Sequence, residues 1–151
     1  LGMKKTDVCE KMIKEINPEA SVKVISERFG PETTLFANDF DYLIDAIDDL
    51  DNKCLLIKMC LENKKTFISS MGTAKKMDLT KLKIMDLNQT SYDPLARKLR
   101  KMLGEDGIYE KVPVVSSLEE PIKTIGLGSY MPVTSTAGLM LADYIIKKII
   151  F

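Results

Sequence analysis

Histidine and tryptophan are both absent from the 151 residues, and cysteine occurs only three times. Without an imidazole the chain assembles no Ser-His-Asp triad, no Cys-His pair, no HExxH zinc site and no histidine acid–base. Cys9, Cys54 and Cys60 are odd in number and lack CxxC spacing, so they form neither a disulfide framework nor a zinc knuckle. If Cys54 and Cys60 share a helix, they point about 240° apart. Small buried apolar residues in a reducing compartment is the simpler reading of them. A charge surplus is missing too: 22 Lys+Arg balance 22 Asp+Glu. No run is fit to span a bilayer, because the apolar stretch 137–146 is short and broken by Asp143. No signal-peptide core follows Leu1-Gly2-Met3-Lys4-Lys5, so a cytoplasmic protein with no membrane contact is expected.

What remains is 45% hydrophobic and 29% charged, the composition of a folded domain with a sizeable core. The chain opens directly into a helical pattern, which suggests a piece of something longer. Val8, Met12, Ile13 and Ile16 give a helix over 6–16, stopped by Asn17-Pro18. Val22 and Val24 suggest a strand over 21–26, and Pro31 opens a short helix to about 37. The compact run 42–47 reads as a buried parallel strand, and Asp51 caps a helix over 53–63. Strands follow over 66–70 and 81–87. Asp93-Pro94 starts a helix that Gly104 ends. A strand over 111–116, a linker over 121–128 and a long apolar helix over 134–150 complete the chain. No repeat or domain linker interrupts this alternation, so the class is α/β with a largely parallel sheet.

Three places carry charge in patterns that suit chemistry. Asp45, Asp48, Asp49 and Asp51 crowd the end of the strand at 42–47, where open α/β sheets bind ligands. Such acids hold Mg²⁺ beside nucleotide phosphates, or they cap the next helix and meet solvent. Lys4 and Lys5 precede a helix whose N-terminus favours an anion, or they are simply solvated. Arg97, Lys98, Arg100 and Lys101 form a basic cluster, with 97, 100 and 101 on one helical face. That face suits a phosphate backbone or plain solvation. Gly126-Leu127-Gly128-Ser129 lacks phosphate-loop spacing and reads as a helix-entry turn.

The order of motifs is more specific than any one of them. Asp45-Ala46-Ile47-Asp48, Ser70-Met71-Gly72-Thr73-Ala74 and Asp93-Pro94-Leu95-Ala96-Arg97-Lys98-Leu99-Arg100 occur in turn. Val114-Val115-Ser116-Ser117 and a segment from Gly128-Ser129 to Gly138 follow. Together they resemble the ThiF/MoeB/HesA adenylating superfamily, related to ubiquitin-activating enzymes, and within it the tRNA threonylcarbamoyladenosine dehydratase branch. The resemblance covers essentially the whole chain but only the later part of such an enzyme. It implies a Rossmann-like adenylating fold that is incomplete here, its first strands missing, with residues 1–151 as the C-terminal part of one domain.

The same resemblance implies ATP with Mg²⁺ as cofactors, tRNA as partner substrate, and a homodimer. ATP would activate the carboxylate of threonylcarbamoyladenosine as an acyl-adenylate, and ring closure would complete a dehydration. Positioning and charge neutralisation suffice for that chemistry, so the lack of histidine is no objection. Lys5 matches the Lys of the family's Gly-x-x-Lys and is expected at nucleotide phosphate. Asp48 matches the Asp beyond the central strand, expected as the catalytic carboxylate and the contact to Mg²⁺ and phosphates. Asp45 resembles its structural partner. Arg97, Lys98, Arg100 and Lys101 become candidates for tRNA contact.

Some family features are absent from these residues. The GxGxxG loop, the ribose-binding acid and the phosphate-reaching Arg belong upstream of Leu1, and the piece alone is expected to be inactive. Asp78-Leu79-Thr80 stands where Asp-Pro-Thr is usual. The zinc CxxC pairs of the molybdopterin and thiamine branches are absent, which favours the dehydratase branch. The alternatives are a MoeB/ThiF-type adenylyltransferase acting on a sulfur-relay carrier protein, and a non-enzymatic interaction module. With the glycine-loop strand absent, the strands at 21–26 and 42–47 are expected to have open edges. Dimerisation, rearrangement or loose packing up to about residue 26 would compensate.

Overall fold

The computed structural model describes residues 2–151; Leu1 lies outside them. The chain divides into two compact units, Leu1–Glu32 and Thr33–Phe151.

The first unit is a helix and an extended tail. Helix α1 (Lys5–Ile16) has Asp7 in its first turn and Lys14 in its last, as the helix dipole favours. Asn17 closes it by donating to the Ile13 carbonyl at 2.8 Å, and Pro18 cannot continue it. None of its residues is buried, and Val8, Met12, Ile13 and Ile16 stand exposed. Residues 21–26 are not a strand, contrary to the sequence expectation. A strand needs a neighbour's backbone to pair with, and no second extended segment of this unit supplies one. The Thr6 and Ser26 hydroxyls meet at 2.8 Å instead.

The second unit holds the sheet. The helix expected from Pro31 shrinks to a 3₁₀ turn, Leu35–Ala37, entered through a bond from the Leu35 N–H to the Thr33 hydroxyl. Then come β1 (Tyr42–Asp45), α2 (Leu50–Glu62), β2 (Thr66–Ser70), β3 (Leu82–Asp86), α3 (Pro94–Glu105), β4 (Pro113–Ser117) and α4 (Met131–Ile150). The four strands lie in the order β1-β2-β4-β3. β1, β2 and β4 run parallel, with Asp45 opposite Ser69 and Ser69 opposite Val114. β3 is antiparallel to β4 and forms one edge, while β1 forms the other. The mostly parallel α/β class read from the sequence is the one observed.

Alternation along the strands sorts the two faces. Ile68, Leu82 and Val115 point one way and meet Val133, Ala137, Leu141 and Ile145 of α4. Each buried Val, Leu or Ile side chain among these contributes about 1.5–3 kcal/mol. Phe67, Ser69 and Val114 point the other way. α2 covers that face, since Lys53 on it bonds the Ser69 hydroxyl, and α3 packs beside α2. Cys54, Ile57 and Cys60 of α2 and Ala96, Leu99 and Leu103 of α3 fill this layer. Burial pushes the Cys60 thiol up to about 12 and raises Cys54 as well, so both behave as small apolar side chains. Cys9, on α1, is exposed.

Three helix ends differ from the sequence expectation, the first being that α4 starts at Met131 and not at 134. Asp49, not Asp51, caps α2 by accepting from the Asn52 N–H at 3.0 Å. α3 passes through Gly104 and ends at Glu105, because Gly107, with φ of +74°, makes the reversal. The Ile108 N–H then reaches back to the Leu103 carbonyl at 2.9 Å.

Candidate functional site

The parallel strands end together, and the polar side chains buried on the α2 side gather at that rim. Asp45 is the last residue of β1. Its Oδ1 accepts from the Ile47 N–H at 2.9 Å, which turns the chain sharply toward α2. Its Oδ2 accepts from Lys53 Nζ at 2.7 Å and from the Ser69 hydroxyl at 2.5 Å. Lys53 Nζ also donates to Ser69 Oγ at 3.1 Å and to the Ser70 carbonyl at 3.0 Å. The side chains of Asp45 and Lys53 are both 0% exposed. Burial pulls the Lys53 pKa below its ordinary value, and the charge and hydrogen bond of Asp45 oppose that, with Asp48 and Asp93 adding weaker attraction.

Asp48, three residues past Asp45, is exposed at the carboxyl end of β1. The two acids of the Asp45-Ala46-Ile47-Asp48 motif thus divide their work. One locks β1, β2 and α2 together, and the other faces solvent at the rim.

A second cluster joins the remaining loops. Asp93 caps α3 through Oδ1, accepting from the Leu95 and Ala96 N–H groups at 2.9 and 3.1 Å. Its Oδ2 accepts from the Gly72 N–H at 2.9 Å, tying the loop after β2 to the start of α3. A Cβ on Gly72 would stand 3.3 Å from Asp93 Oδ1, so a larger residue would press on the cap. Lys76 is 2% exposed. Its ammonium donates to the carbonyls of Tyr92, Ser117 and Glu119 at 3.2, 3.1 and 2.7 Å. Burial lowers its pKa, against the attraction of Asp93 and Glu119. Tyr92 and the neighbouring Lys75 both hold positive φ, 54° and 60°, a strained conformation for non-glycine residues. Lys75 in turn ties in the loop before α4, through its N–H to Gly128 O and its side chain to Thr124 O.

The structure brings only some of the sequence candidates to this rim. Lys5 is exposed in the first turn of α1, in the other unit. Arg97, Lys98 and Lys101 are exposed on α3, and Lys101 lies 3.6 Å from Glu105. Arg100 differs from its neighbours: its Nη1 donates to Leu87 O and Thr90 O at 2.9 and 3.1 Å and also meets the Thr90 hydroxyl. It holds the segment leading into α3. Lys53 and Lys76 were not singled out from sequence. Lys53 had a visible signal, a lysine inside an apolar helix eight residues after Asp45. Lys76 had none, because its partners are main-chain carbonyls.

Among the described residues no group of three or more Asp, Glu or Cys lies close enough to enclose a metal ion. One exposed carboxylate, Asp48, fits the way Mg²⁺ is held beside nucleotide phosphates, by one or two carboxylates with the phosphates supplying the rest. No helix among the described residues is long and apolar enough to cross a membrane.

An open α/β sheet receives ligands at the carboxyl ends of its parallel strands, the end where the buried polar network and the exposed Asp48 lie. The ThiF family profile matches residues 1–150, and the chain belongs to the ThiF family. It is 39% identical over 124 residues to the tRNA threonylcarbamoyladenosine dehydratase of Bacillus subtilis (strain 168), covering 81% of this chain and 49% of that one. The Escherichia coli (strain K12) protein of the same name is 35% identical over 108 residues, covering 70% and 40%. Among solved structures, E. coli tRNA N6-threonylcarbamoyladenosine dehydratase, TcdA, in complex with ATP is similar, with a TM-score of 0.92 and 33% identity. The match covers 98% of this chain and 64% of that one. Its complex with AMP gives 0.91 and 31%. The chain spans about half the length of the curated relatives it matches.

Proposed function

We propose that these residues form the C-terminal part of a single adenylating domain, belonging to an ATP-dependent enzyme that dehydrates threonylcarbamoyladenosine in tRNA. The carrying observation is the division of labour between Asp45 and Asp48. A buried Asp45–Lys53–Ser69 network fixes the strand ends and leaves Asp48 exposed where an open α/β sheet receives a nucleotide. Extended similarity to dehydratases supports the reading, as does the fold shared with a relative crystallised with ATP.

In this reading the substrate carboxylate attacks the α-phosphorus of ATP and pyrophosphate leaves. The carbamoyl nitrogen then attacks the activated acyl carbon, AMP leaves, and a ring closes with net loss of water. Asp48 would hold Mg²⁺, which neutralises phosphate charge. Lys5, at the positive end of α1, would meet nucleotide phosphate. Arg97, Lys98 and Lys101 offer an exposed basic face to the tRNA backbone. Arg100 orders the segment behind that face as well as adding to its charge. The enzyme would work in the cytoplasm, as a homodimer.

The sulfur-carrier alternative has weaker support. A probable molybdopterin-synthase adenylyltransferase of Pyropia yezoensis matches only 45% of this chain, at 32% identity. The test is mass spectrometry of tRNA nucleosides after incubation of the full-length protein with ATP and Mg²⁺. The cyclised nucleoside should form, and Asp48→Asn should cut its rate at least 100-fold with the fold intact. Product formation without ATP, or full activity in Asp48→Asn, would refute the proposal.

A further inference from the structure

Tyr92 holds a conformation that its own side chain opposes. Its φ of +54° lies in the left-handed region, which glycine and asparagine enter cheaply and a bulky residue does not. The ring that brings the strain is 57% exposed. Among the described residues no ring, cation or hydrogen-bonding group engages it. Its attachment is nonetheless fixed on both sides. The buried Lys76 ammonium holds the Tyr92 carbonyl at 3.2 Å, and Asp93, the next residue, caps α3 and bonds the Gly72 N–H. Tyr109, exposed past the other end of α3, differs: its φ is negative, and its hydroxyl donates to Gly104 O at 3.4 Å.

The surroundings say what the ring meets. Tyr92 precedes the α3 cap and Arg97 is the fourth residue of the helix, positions that neighbour each other at a helix start. Lys98 and Lys101 continue the exposed basic face. The bond between Asp93 and Gly72 ties this start of α3 to the loop after β2, at the carboxyl ends of the strands. We infer that Tyr92 is a stacking platform for an unpaired base of the RNA substrate, beside the nucleotide that reacts, with Arg97, Lys98 and Lys101 on the flanking phosphates. A base that undergoes chemistry leaves its stack and bares the face of its neighbour. An exposed aromatic ring covers such a face, and every base has one, so the contact reads an unpaired strand and not its sequence. Paired RNA would use the same charges without the ring. The inference rests on the tRNA-modifying reading and adds to it the residue that recognises the open strand.

Fluorescence anisotropy of the full-length protein with two labelled RNAs tests it: a short stem-loop with an unpaired loop, and a fully paired duplex of equal charge. Tyr92→Gly removes ring and strain together, so it should melt at or above the native temperature. Its dissociation constant for the stem-loop should rise about tenfold, with the duplex unchanged within about twofold. Tyr92→Phe keeps the ring and should bind the stem-loop within about twofold of native. The salt dependence of stem-loop binding should not change in Tyr92→Gly, because a neutral ring releases no counter-ion, whereas Arg97→Ala should flatten the slope by about 0.7. Native stem-loop affinity in Tyr92→Gly, an equal loss on both RNAs, a Tyr92→Phe chain as weak as Tyr92→Gly, or a marked fall in melting temperature would each overturn the inference. A native chain that cyclises the nucleoside while Tyr92→Gly binds normally leaves the proposed function standing and removes only the platform. A native chain that binds neither RNA removes both.

Discussion

Asp45→Asn removes one charge from a site that water does not reach. Lys53 would keep its bonds to Ser69 Oγ and the Ser70 carbonyl, both neutral acceptors, while its counter-ion at 2.7 Å is lost. Breaking a buried pair in this way costs about 3–5 kcal/mol. A domain of this size has about 5–15 kcal/mol in total, and the melting temperature should fall by about 10 °C. Lys53→Met strands the carboxylate instead and should cost about 3 kcal/mol. The double variant removes both charges and should lie within about 2 kcal/mol of the native chain, giving a coupling energy of at least about 4 kcal/mol. Urea denaturation followed by circular dichroism measures all four corners of the cycle.

Proton linkage adds an independent check. Burial already sets Lys53 low, and without Asp45 it falls further. Between that folded-state pKa and the ordinary value of 10.5 the unfolded chain binds more protons, so the Asp45→Asn variant should gain stability as pH rises. The reasoning fails if the single variants each cost under about 1 kcal/mol, or if the double equals their sum.

Other outcomes follow from the same geometry. Asp48→Asn should leave the urea midpoint unchanged, within about 0.5 kcal/mol, while abolishing Mg-ATP binding by calorimetry in the full-length protein. The Cys60 thiol, held at about 12, gives the opposite pH sign from Lys53. Its contribution is intact below pH 9 and is lost at about 1 kcal/mol per pH unit above it, visible in urea midpoints from pH 8 to 11. A thiol reagent should label Cys9 alone in the native chain, with Cys54 and Cys60 reacting only on unfolding. Asp93→Ala forfeits the α3 cap and the bond from the Gly72 N–H, and should lower stability by about 2–3 kcal/mol in thermal melts.

Local chemistry made much of this fold legible. Asp93-Pro94 marked the start of α3 because an acceptor at the cap and a missing N–H after it act within a single turn. The short β-branched and aromatic run 66–70 showed β2 with its observed ends. Pairing was harder to read. Val22 and Val24 have strand chemistry, yet a strand forms only beside a partner, and adjacent sequence does not reveal one. The antiparallel run of β3 was hidden for the same reason. At the site, the Asp45-Ala46-Ile47-Asp48 motif announced acids at a strand end. Which of them is buried depends on Lys53, eight residues on in α2, and on Ser69 in another strand.

Lys76 binds three carbonyls, and every residue type presents a carbonyl. Tyr92 and Ser117 can therefore be exchanged freely as far as this lysine is concerned, provided the chain follows the same path. A saturation scan should show Lys76 tolerating almost nothing, while Tyr92 and Ser117 are limited only by their own surroundings, the positive φ at Tyr92 and the burial of Ser117. Such a residue recognises where the backbone runs and is blind to what hangs from it, so the loops of the rim are free to diverge in sequence while their course stays fixed.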